Sequence, residues 1–297
     1  MKFGEIPAAE AEGAILAHSV KHGGGIFKKG RRLSPADIAA LTSAGIAQIF
    51  AARLGPDDVP EDEAAAAIAQ AVGGSGVTAQ APFTGRANLH AGVHGLALID
   101  AVRVRQINRL HESLTLATIA NHAVAEKRQM VATVKIILFS VPRDVLAEAL
   151  AIIGNEPLIR VEAFRHRHVG LIITRLPQTK PSLIVKSEDA MRERVTALDG
   201  DLAAVVVVEH AIGPVSRAIT DLAAKHCHPI LVFGASAIVD RGDVIPAAVH
   251  AVGGEVVHLG MPVDPGNLMM YGRLHGAPVI GVPSVLRARP RSTASTG

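Results

Sequence analysis

The sequence predicts an α/β protein. Its C-terminal part is expected to be a three-layer α/β/α domain with a mostly parallel sheet, preceded by a smaller α+β unit and a mainly β unit. Three observations predict this. From Val169 onward, short apolar runs alternate with helical segments, which is typical of parallel sheets covered by helices. Residues 1–75 mix strand-like and helix-like segments, whereas residues 76–165 hold mainly short β-like segments. The length of 297 residues exceeds that of a usual single domain.

The first unit, residues 1–75, is predicted to contain strands around one well-marked helix. GAILAHSV alternates like a strand, and HGGGIFKKGRRL follows as a turn and a second strand. SPADIAALTSAG is predicted to be a helix. Ser34 can cap it, Pro35 occupies its first position, Asp37 lies in its first turn, facing the helix N-terminus, and Gly45 ends it. IAQIFAARL is the next strand, and Ala64 to Val72 form a short helix. The composition of VGGSGVTAQ, which follows, predicts a linker.

The second unit, residues 76–165, is predicted to be mainly β, with GLALID and MVATVKIILF as strands and a helix that Pro142 opens. The segment PFTGRANL is either a ligand loop or a β-turn, and the sequence leaves both open. EPLIRVEAFRHRH is predicted to link this unit to the last domain. Its His166 and His168 form a His-x-His pair, but no third metal ligand is evident in the sequence. A solvated linker is therefore preferred to a metal site.

The C-terminal domain, residues 166–297, has the clearest pattern. VGLIITRL and LAAVVVVEH are continuous apolar runs of the kind found in strands buried on both faces, and PILVFG and EVVHLG follow as a third and a fourth strand. Three helical segments separate them: SEDAMRERVTAL, GPVSRAITDLAAKH and VIPAAVHAVGG. Ser187 is predicted to cap the first of these helices, with Glu188 and Asp189 in its first turn, where the helix dipole favours acids.

Composition argues against several classes of partner. Aromatic residues make up 3% of the chain and Trp is absent, so stacking platforms for single-stranded nucleic acid are scarce. The formal charge of +3 equals the contribution of three tail arginines, because 30 − 3 = 27 basic residues face 27 acidic ones. We therefore expect no nucleic-acid partner. Neither a signal peptide nor an apolar run of about 18 residues is evident, so we expect no membrane partner and a cytoplasmic location. The single cysteine, Cys227, is expected to pack in a core.

The candidate binding residues lie in loops after the first, third and fourth strands of the C-terminal domain. Ligands of open α/β sheets bind beyond the carboxyl ends of the strands, where these loops meet. Their small, hydroxyl and cationic residues suit a phosphorylated or anionic small molecule. Neither GxGxxG nor the P-loop pattern is present, which disfavours classical dinucleotide and P-loop sites. The candidates are Thr174, Arg175, Thr179 and Lys180, then Gly234, Ala235, Ser236, Asp240 and Asp243, then Met261, Pro262, Asp264, Pro265, Gly266 and Asn267.

Two long segments carry a family resemblance. PILVFGASAIVDRGDVIPAAV and GMPVDPGNLMMYGRLHGAPVIGVP resemble the molybdopterin-binding domain shared by molybdopterin adenylyltransferases and molybdenum-insertion enzymes of molybdenum cofactor biosynthesis. The resemblance implies a homo-oligomer that binds molybdopterin, or a molybdopterin nucleotide, through the loop residues above and Pro283. An enzyme of this kind would transfer an adenylyl group from ATP or insert molybdenum, with Asp240 and Asp243 as catalytic residues and Asp240 as the Mg²⁺ ligand. Two alternatives stay open: a non-catalytic cofactor carrier or sensor, and a pyridine-nucleotide hydrolase of the competence-damage type.

The chain departs from the family pattern at three places. Gly234-Ala235-Ser236 stands where the enzymes usually have consecutive glycines, and Asn267 stands where insertion enzymes usually have lysine. Both differences favour the carrier. After Pro283 the chain continues as SVLRARPRSTASTG, which does not match the family pattern. DNA that encodes this tail can also be translated in the reading frame that starts one base earlier. That frame gives VGAARSPKVNGVDW, which resembles the family continuation. We therefore expect residues 284–297 to be a disordered frameshift product, which resequencing of the gene would test.

Overall fold

A computed structural model describes residues 1–261 and 268–282. It combines helices and strands in several sheets, so the chain belongs to the α/β class in its general sense. The chain divides into two compact units, unit 1 (Met1–Ala163) and unit 2 (Phe164–Gly297). The predicted tail and most of the predicted proline-glycine loop lie outside the described residues.

Unit 1 begins with a small sheet covered by one helix. Its strands pair in the order β1-β5-β2, all antiparallel, and a separate hairpin joins β3 to β4. Leu16, Leu33, Leu41 and Ile49 form the centre of its core. The predicted strand over GAILAHSV is reduced to a two-residue strand, while the strand in IAQIFAARL is confirmed. The elements are β1 (Lys2–Pro7), a 3₁₀ turn (Ala8–Glu10), β2 (Ile15–Leu16), β3 (Val20–His22), β4 (Gly25–Phe27), α1 (Pro35–Ser43) and β5 (Gln48–Arg53).

The predicted start of α1 is confirmed, and a buried carboxylate stabilises it. Asp37 accepts hydrogen bonds from the Ser34 amide at 3.0 Å and from Nε and Nη2 of Arg31 at 3.0 and 2.9 Å. The Ser34 hydroxyl in turn accepts from the Asp37 amide, which completes a capping box. The Arg31 hydrogen bonds, followed by the Ser34 amide, lower the pKa of Asp37 from 3.8 to about 2.

Replacement of Asp37 by alanine is expected to lower the free energy of unfolding by about 2 kcal/mol at neutral pH, because it removes a capping box and a forked arginine contact. The folded-state pKa lies below the unfolded one, so this stabilisation is present above about pH 4 and is lost as the pH falls towards 2. Urea denaturation across this pH range measures it. The exposed Asp57, replaced by alanine, is the control, and equal losses in both variants would contradict the assignment.

The rest of unit 1 forms a second, larger core. Helix α2 packs on β8 and β12, and α4 packs on α2 and α3. Residues of α2 therefore share one core with strands that follow the predicted boundary at 75/76. The sheets have the orders β10-β12-β8-β7, β11-β9-β14 and β13-β6. The elements are β6 (Asp58–Pro60), α2 (Glu61–Val72), β7 (Val77–Ala79), β8 (Arg86–Ala91), β9 (Gly95–Ile99), α3 (Ala101–Ile107), β10 (Leu114–Thr118), β11 (Val124–Ala125), β12 (Met130–Ile136), β13 (Ser140–Pro142), α4 (Arg143–Ile153) and β14 (Ile159–Ala163).

The segment VGGSGVTAQ, predicted as a linker, is instead a packed turn followed by β7. The Gly74 amide donates to the Ile159 carbonyl at 2.9 Å, and the Val161 amide donates to the Ser75 carbonyl at 2.9 Å. At Gly76, φ is +68° and an added Cβ would overlap the Val161 carbonyl oxygen. Gly76 is required because the backbone of β14 approaches this position too closely for a side chain.

Unit 2 is built on one six-stranded sheet with the order β16-β15-β17-β20-β19-β18. β15 pairs in parallel with β16 and β17, and β17 pairs in parallel with β20. β19 is antiparallel to both of its neighbours, so among the described strands of this sheet it alone runs in the opposite direction. The elements are β15 (His168–Arg175), α5 (Pro181–Thr196), β16 (Asp201–Glu209), α6 (Ile212–Ala224), β17 (Ile230–Phe233), α7 (Val244–Ala251), β18 (Glu255–Leu259), β19 (Met270–Leu274) and β20 (Ala277–Val282).

Alternate residues of the central strands enter two separate cores. Leu171 and Ile173 of β15 pack with Met191 of α5. Ile172, between them, packs with residues of α6 and α7, such as Leu222. Successive side chains of a strand point to opposite faces of the sheet, so these two cores lie on opposite sides of β15.

Two expectations for unit 2 are wrong in detail. Helix α5 begins at Pro181, six residues before the predicted cap, and the buried Ser187 hydroxyl donates within the helix to the Leu183 carbonyl at 2.7 Å. Pro181 suits a first helical position because its φ is already helical. β16 is an edge strand and is only partly buried, with Val207 42% exposed.

Within the described residues, no helix is both long and apolar enough to cross a membrane.

Candidate functional site

The carboxyl ends of β15, β16 and β17 meet around one buried hydroxyl. Thr174, the next-to-last residue of β15, is 2% exposed. Its Oγ1 lies 2.9 Å from Nδ1 of His210, 3.2 Å from the Phe233 carbonyl oxygen and 2.7 Å from the Ala235 amide nitrogen. One side chain thus joins the loops that follow three adjacent strands. We call this group, completed by Ser236, the Thr174 cluster.

The hydrogen-bond partners define one protonation pattern for the cluster. The Thr174 hydroxyl has one proton, and the Phe233 carbonyl can only accept it. The Ala235 amide donates to Thr174 Oγ1, and Nδ1 of His210 is the second donor to that oxygen when it carries a proton. Nε2 of His210 then accepts from the hydroxyl of Ser236, which lies 2.9 Å away. In this pattern every group of the cluster has a partner of the right kind.

The electrostatics of His210 agree with a neutral ring. Burial lowers its pKa below the ordinary value, and the negative charge of Asp243 raises it by a smaller amount. A neutral imidazole has one donor and one acceptor nitrogen, which is what the Thr174 cluster requires. His210 can therefore act as a hydrogen-bond acceptor, or as a base, towards Ser236 or a ligand.

Arg175 supplies positive charge beside the cluster. Its carbonyl accepts a hydrogen bond from the His210 amide at 2.9 Å, which fixes the two loops to each other. A cavity of about 420 Å³ opens here, and its lining is Arg175, Leu176, Pro177, Glu209, His210 and Ala211. The cavity combines one cation, one anion and an imidazole at the edge of the sheet where ligands of such sheets bind.

The turn after β17 holds the two aspartates that were predicted to act on a metal. Asp240 Oδ1 accepts from the Gly242 amide at 2.7 Å, and Asp243 Oδ2 accepts from the Val239 amide at 2.9 Å. Both carboxylates thus stabilise the turn that leads into α7. Among the described residues, no group of three or more His, Cys, Asp or Glu side chains gathers at Asp240 in ligand geometry.

The structure brings some predicted residues together and separates others. Thr179 Oγ1 accepts from the Leu176 amide at 2.9 Å and closes its own loop, and Lys180 is an exposed residue next to α5. Gly234 is buried, and an added Cβ would lie 2.7 Å from the Ser236 carbonyl oxygen, so its turn needs the space. Met261 is 39% exposed at the end of the described segment. Six predicted residues lie outside the described ranges: Pro262, Asp264, Pro265, Gly266, Asn267 and Pro283.

His210 is not among the predicted site residues, although the sequence carries a signal for it. The prediction covers the loops after the first, third and fourth strands but not the loop after the second. Glu209 and His210 end the segment LAAVVVVEH, at the same edge of the sheet as the other loops. A polar pair at the end of an apolar strand is a signal of the same kind as those in the other loops.

Comparison with known families bears on unit 1 only. Residues 5–53 match a family described as a domain of unknown function, DUF8806. The match runs from within β1 to the end of β5 and includes no residue of the Thr174 cluster. No curated protein matches this chain.

Proposed function

We propose that unit 2 binds molybdopterin or a molybdopterin nucleotide at the carboxyl edge of its sheet. The observation that carries the proposal is the convergence of Thr174, His210 and Ser236 beside the cation of Arg175. Hydroxyls, an imidazole and an arginine together suit the phosphate and the polar ring edges of such a ligand. The two cores on opposite sides of β15 support the three-layer arrangement that the family resemblance implies. The resemblance also implies a homo-oligomer, and a cytoplasmic location is part of the proposal.

Two departures from the family pattern favour binding over catalysis. Ala235 and Ser236 stand where the enzymes usually have glycines, and Asn267 stands where insertion enzymes usually have lysine. Adenylyl transfer or molybdenum insertion would need Mg²⁺, which one or two carboxylates, such as those of Asp240 and Asp243, can bind together with phosphate oxygens of the ligand. A cofactor carrier, which only binds and releases molybdopterin, requires no cation. We therefore propose the carrier first and the ATP-dependent transferase second.

Anaerobic titration with molybdopterin tests the proposal. We expect binding by the full chain and a Kd raised by about tenfold in Arg175→Ala and in Ser236→Ala, because each change removes a hydrogen bond to a charged or polar ligand group. Arg192→Ala is the matched control, since this exposed arginine of α5 pairs with Glu188 away from the cluster. Addition of ATP and Mg²⁺ separates the two activities, because a carrier yields no adenylylated pterin.

A negative result has a defined second step. The same titration is then made with a chain that carries the alternative reading frame after Pro283. Binding by that form would support the proposal and would show that the tail of the present chain, from residue 284 onward, is what prevents binding. Failure of both forms to bind, or equal affinity in the Arg175 variant and the Arg192 control, would overturn the molybdopterin assignment.

One contact favours a second candidate function, hydrolysis of a pyridine nucleotide. Ser236 Oγ lies 2.9 Å from His210 Nε2, and Thr174 Oγ1 holds the other ring nitrogen. A nucleophile, a base and a group that orients the base are the parts of hydrolytic serine sites. Formation of product from nicotinamide mononucleotide by the parent chain, and its loss in Ser236→Ala, would support this activity. If the parent chain formed no product, the hydrolase function would be rejected.

A further inference from the structure

A cluster of metal-ligand side chains lies at the amino ends of two strands of unit 2. His168 begins β15 and Asp201 begins β16, and their Cα atoms are register partners. Nδ1 of His168 lies 2.8 Å from Oδ1 of Asp201, and Nε2 of His166 lies 2.9 Å from the same oxygen. No third ligand for these histidines is evident in the sequence, but the structure places the Asp201 carboxylate against both rings. The partner stands 33 residues further along the chain and reaches them through parallel pairing.

The three ligand atoms lie within about half an ångström of the spacing of an open metal site. One atom from each residue lies within 4.8 Å of the other two. Zinc binds imidazole nitrogen at about 2.0–2.1 Å and carboxylate oxygen at about 2.0–2.2 Å, so tetrahedral ligands stand roughly 3.4 Å apart. The present separations of 2.8 and 2.9 Å need to widen by about half an ångström. Since the side chains of all three residues are 44% to 65% exposed, this movement meets little resistance.

A backbone contact orients His166 for such a role. Its Nδ1 lies 2.8 Å from the Asp199 carbonyl oxygen, which can only accept, so Nδ1 carries the proton. Nε2 is then the nitrogen directed at Asp201, and in the neutral tautomer with its proton on Nδ1 it is the ring nitrogen that can bind a metal. Metal-bound histidines usually donate their second N–H to a carbonyl or carboxylate in this way. The two rings also stand edge to face, with centroids 5.1 Å apart, so they do not stack over each other's nitrogens.

We infer that His166, His168 and Asp201 form a binding site for a divalent transition metal, with zinc as the best match. Two imidazoles and one carboxylate form a set that zinc accepts, and hard cations such as Mg²⁺ prefer all-oxygen sets. Three protein ligands leave a fourth position for water or an external ligand. The site lies at the end of β15 opposite the Thr174 cluster, so it is separate from the proposed pterin site and independent of the proposed function.

The test is calorimetric titration of the full chain, purified without a polyhistidine tag and freed of metal, with zinc chloride. We expect one zinc ion per chain, a rise in Tm on loading, and a Kd raised by about tenfold or more in His166→Ala and in Asp201→Asn. His258→Ala, an exposed histidine on β18, is the matched control and is expected to bind as the parent chain does.

A second probe keeps the result independent of folding defects. Loading with Co²⁺ gives visible absorption that reports its ligands, and Asp201→Asn should change the spectrum while circular dichroism stays that of the parent. Absence of zinc binding, or binding that survives both His166→Ala and Asp201→Asn, would overturn the inference. Loss of zinc binding in these variants with molybdopterin binding unchanged would confirm that the two sites are separate.

Discussion

Replacement of Gly76 by alanine is expected to lower the free energy of unfolding by about 3 kcal/mol or more, the largest stability effect that we anticipate in unit 1. Two costs add. Alanine at φ +68° is strained by about 1 kcal/mol, and its Cβ would overlap the Val161 carbonyl oxygen. To relieve the overlap, β14 has to move away from the turn, which breaks the hydrogen bond from the Val161 amide to Ser75. Urea denaturation of the full chain measures the loss.

Gly13 provides the matched control for this change. Its φ is +74°, close to that of Gly76, but nothing lies within 4 Å of the position of an added Cβ. Gly13→Ala therefore carries the conformational strain without the overlap, and we expect a loss of only about 1 kcal/mol. If the two variants lost equal stability, the close approach of β14 would not explain the glycine at position 76.

The second large effect is expected at Thr174. Thr174→Val keeps the shape of the side chain but removes the hydroxyl, and with it the partner that the Ala235 amide and Nδ1 of His210 share. Buried polar groups that lose a partner cost about 1–3 kcal/mol each before the structure relaxes. We expect unit 2 to lose about 3 kcal/mol and, on the proposed function, molybdopterin affinity to fall by about tenfold or more.

The comparison for this variant is Thr220→Val. The Thr220 hydroxyl donates to the Ser216 carbonyl one turn earlier in α6 and is exposed, so its loss should change stability by less than about 0.5 kcal/mol. Denaturation gives the stability, and amide hydrogen exchange at Ala235 reports the local contact. An Ala235 amide that exchanges as slowly in Thr174→Val as in the parent would show that the hydroxyl is not what holds the three loops.

Four of the six strands of unit 2 (β15 to β18) could be predicted because their signal is local. Each of the four is a run of mostly apolar residues, and the helices between them have the usual lengths. The pairing of β19 with β20 was not predicted from apolar runs. The start of α5 could not be predicted in the same way, since Pro181 and Ser187 are both acceptable first-turn signals. What selects the earlier start is tertiary: Ile184, in the added turn, packs on the same core as Met191 and Val195. A sequence pattern does not report that contact.

The same distinction explains the errors in unit 1 and at the sites. VGGSGVTAQ has the composition of a linker, but its Gly76 allows a close approach by Val161 of β14, 85 residues further along the chain. Asp201 joins His166 and His168 only because β15 and β16 pair in parallel. In each case the sequence shows the residue types. It does not show which residues become neighbours, because that depends on how the strands pair in the folded protein.

The position of β20 has a consequence for the order in which unit 2 is made. β20 is the last described strand in the chain, yet it lies in the interior of the sheet. It pairs with β17 on one side and with β19 on the other, so β17 does not contact β19 or β18 directly in the sheet. A ribosome releases β15, β16 and β17 first, so the free edge of β17 waits until residues 270–282 emerge. An unpaired strand edge is open to pairing with other chains. During the stretch of synthesis between β17 and β20, the edge of β17 is therefore open to pairing with other chains.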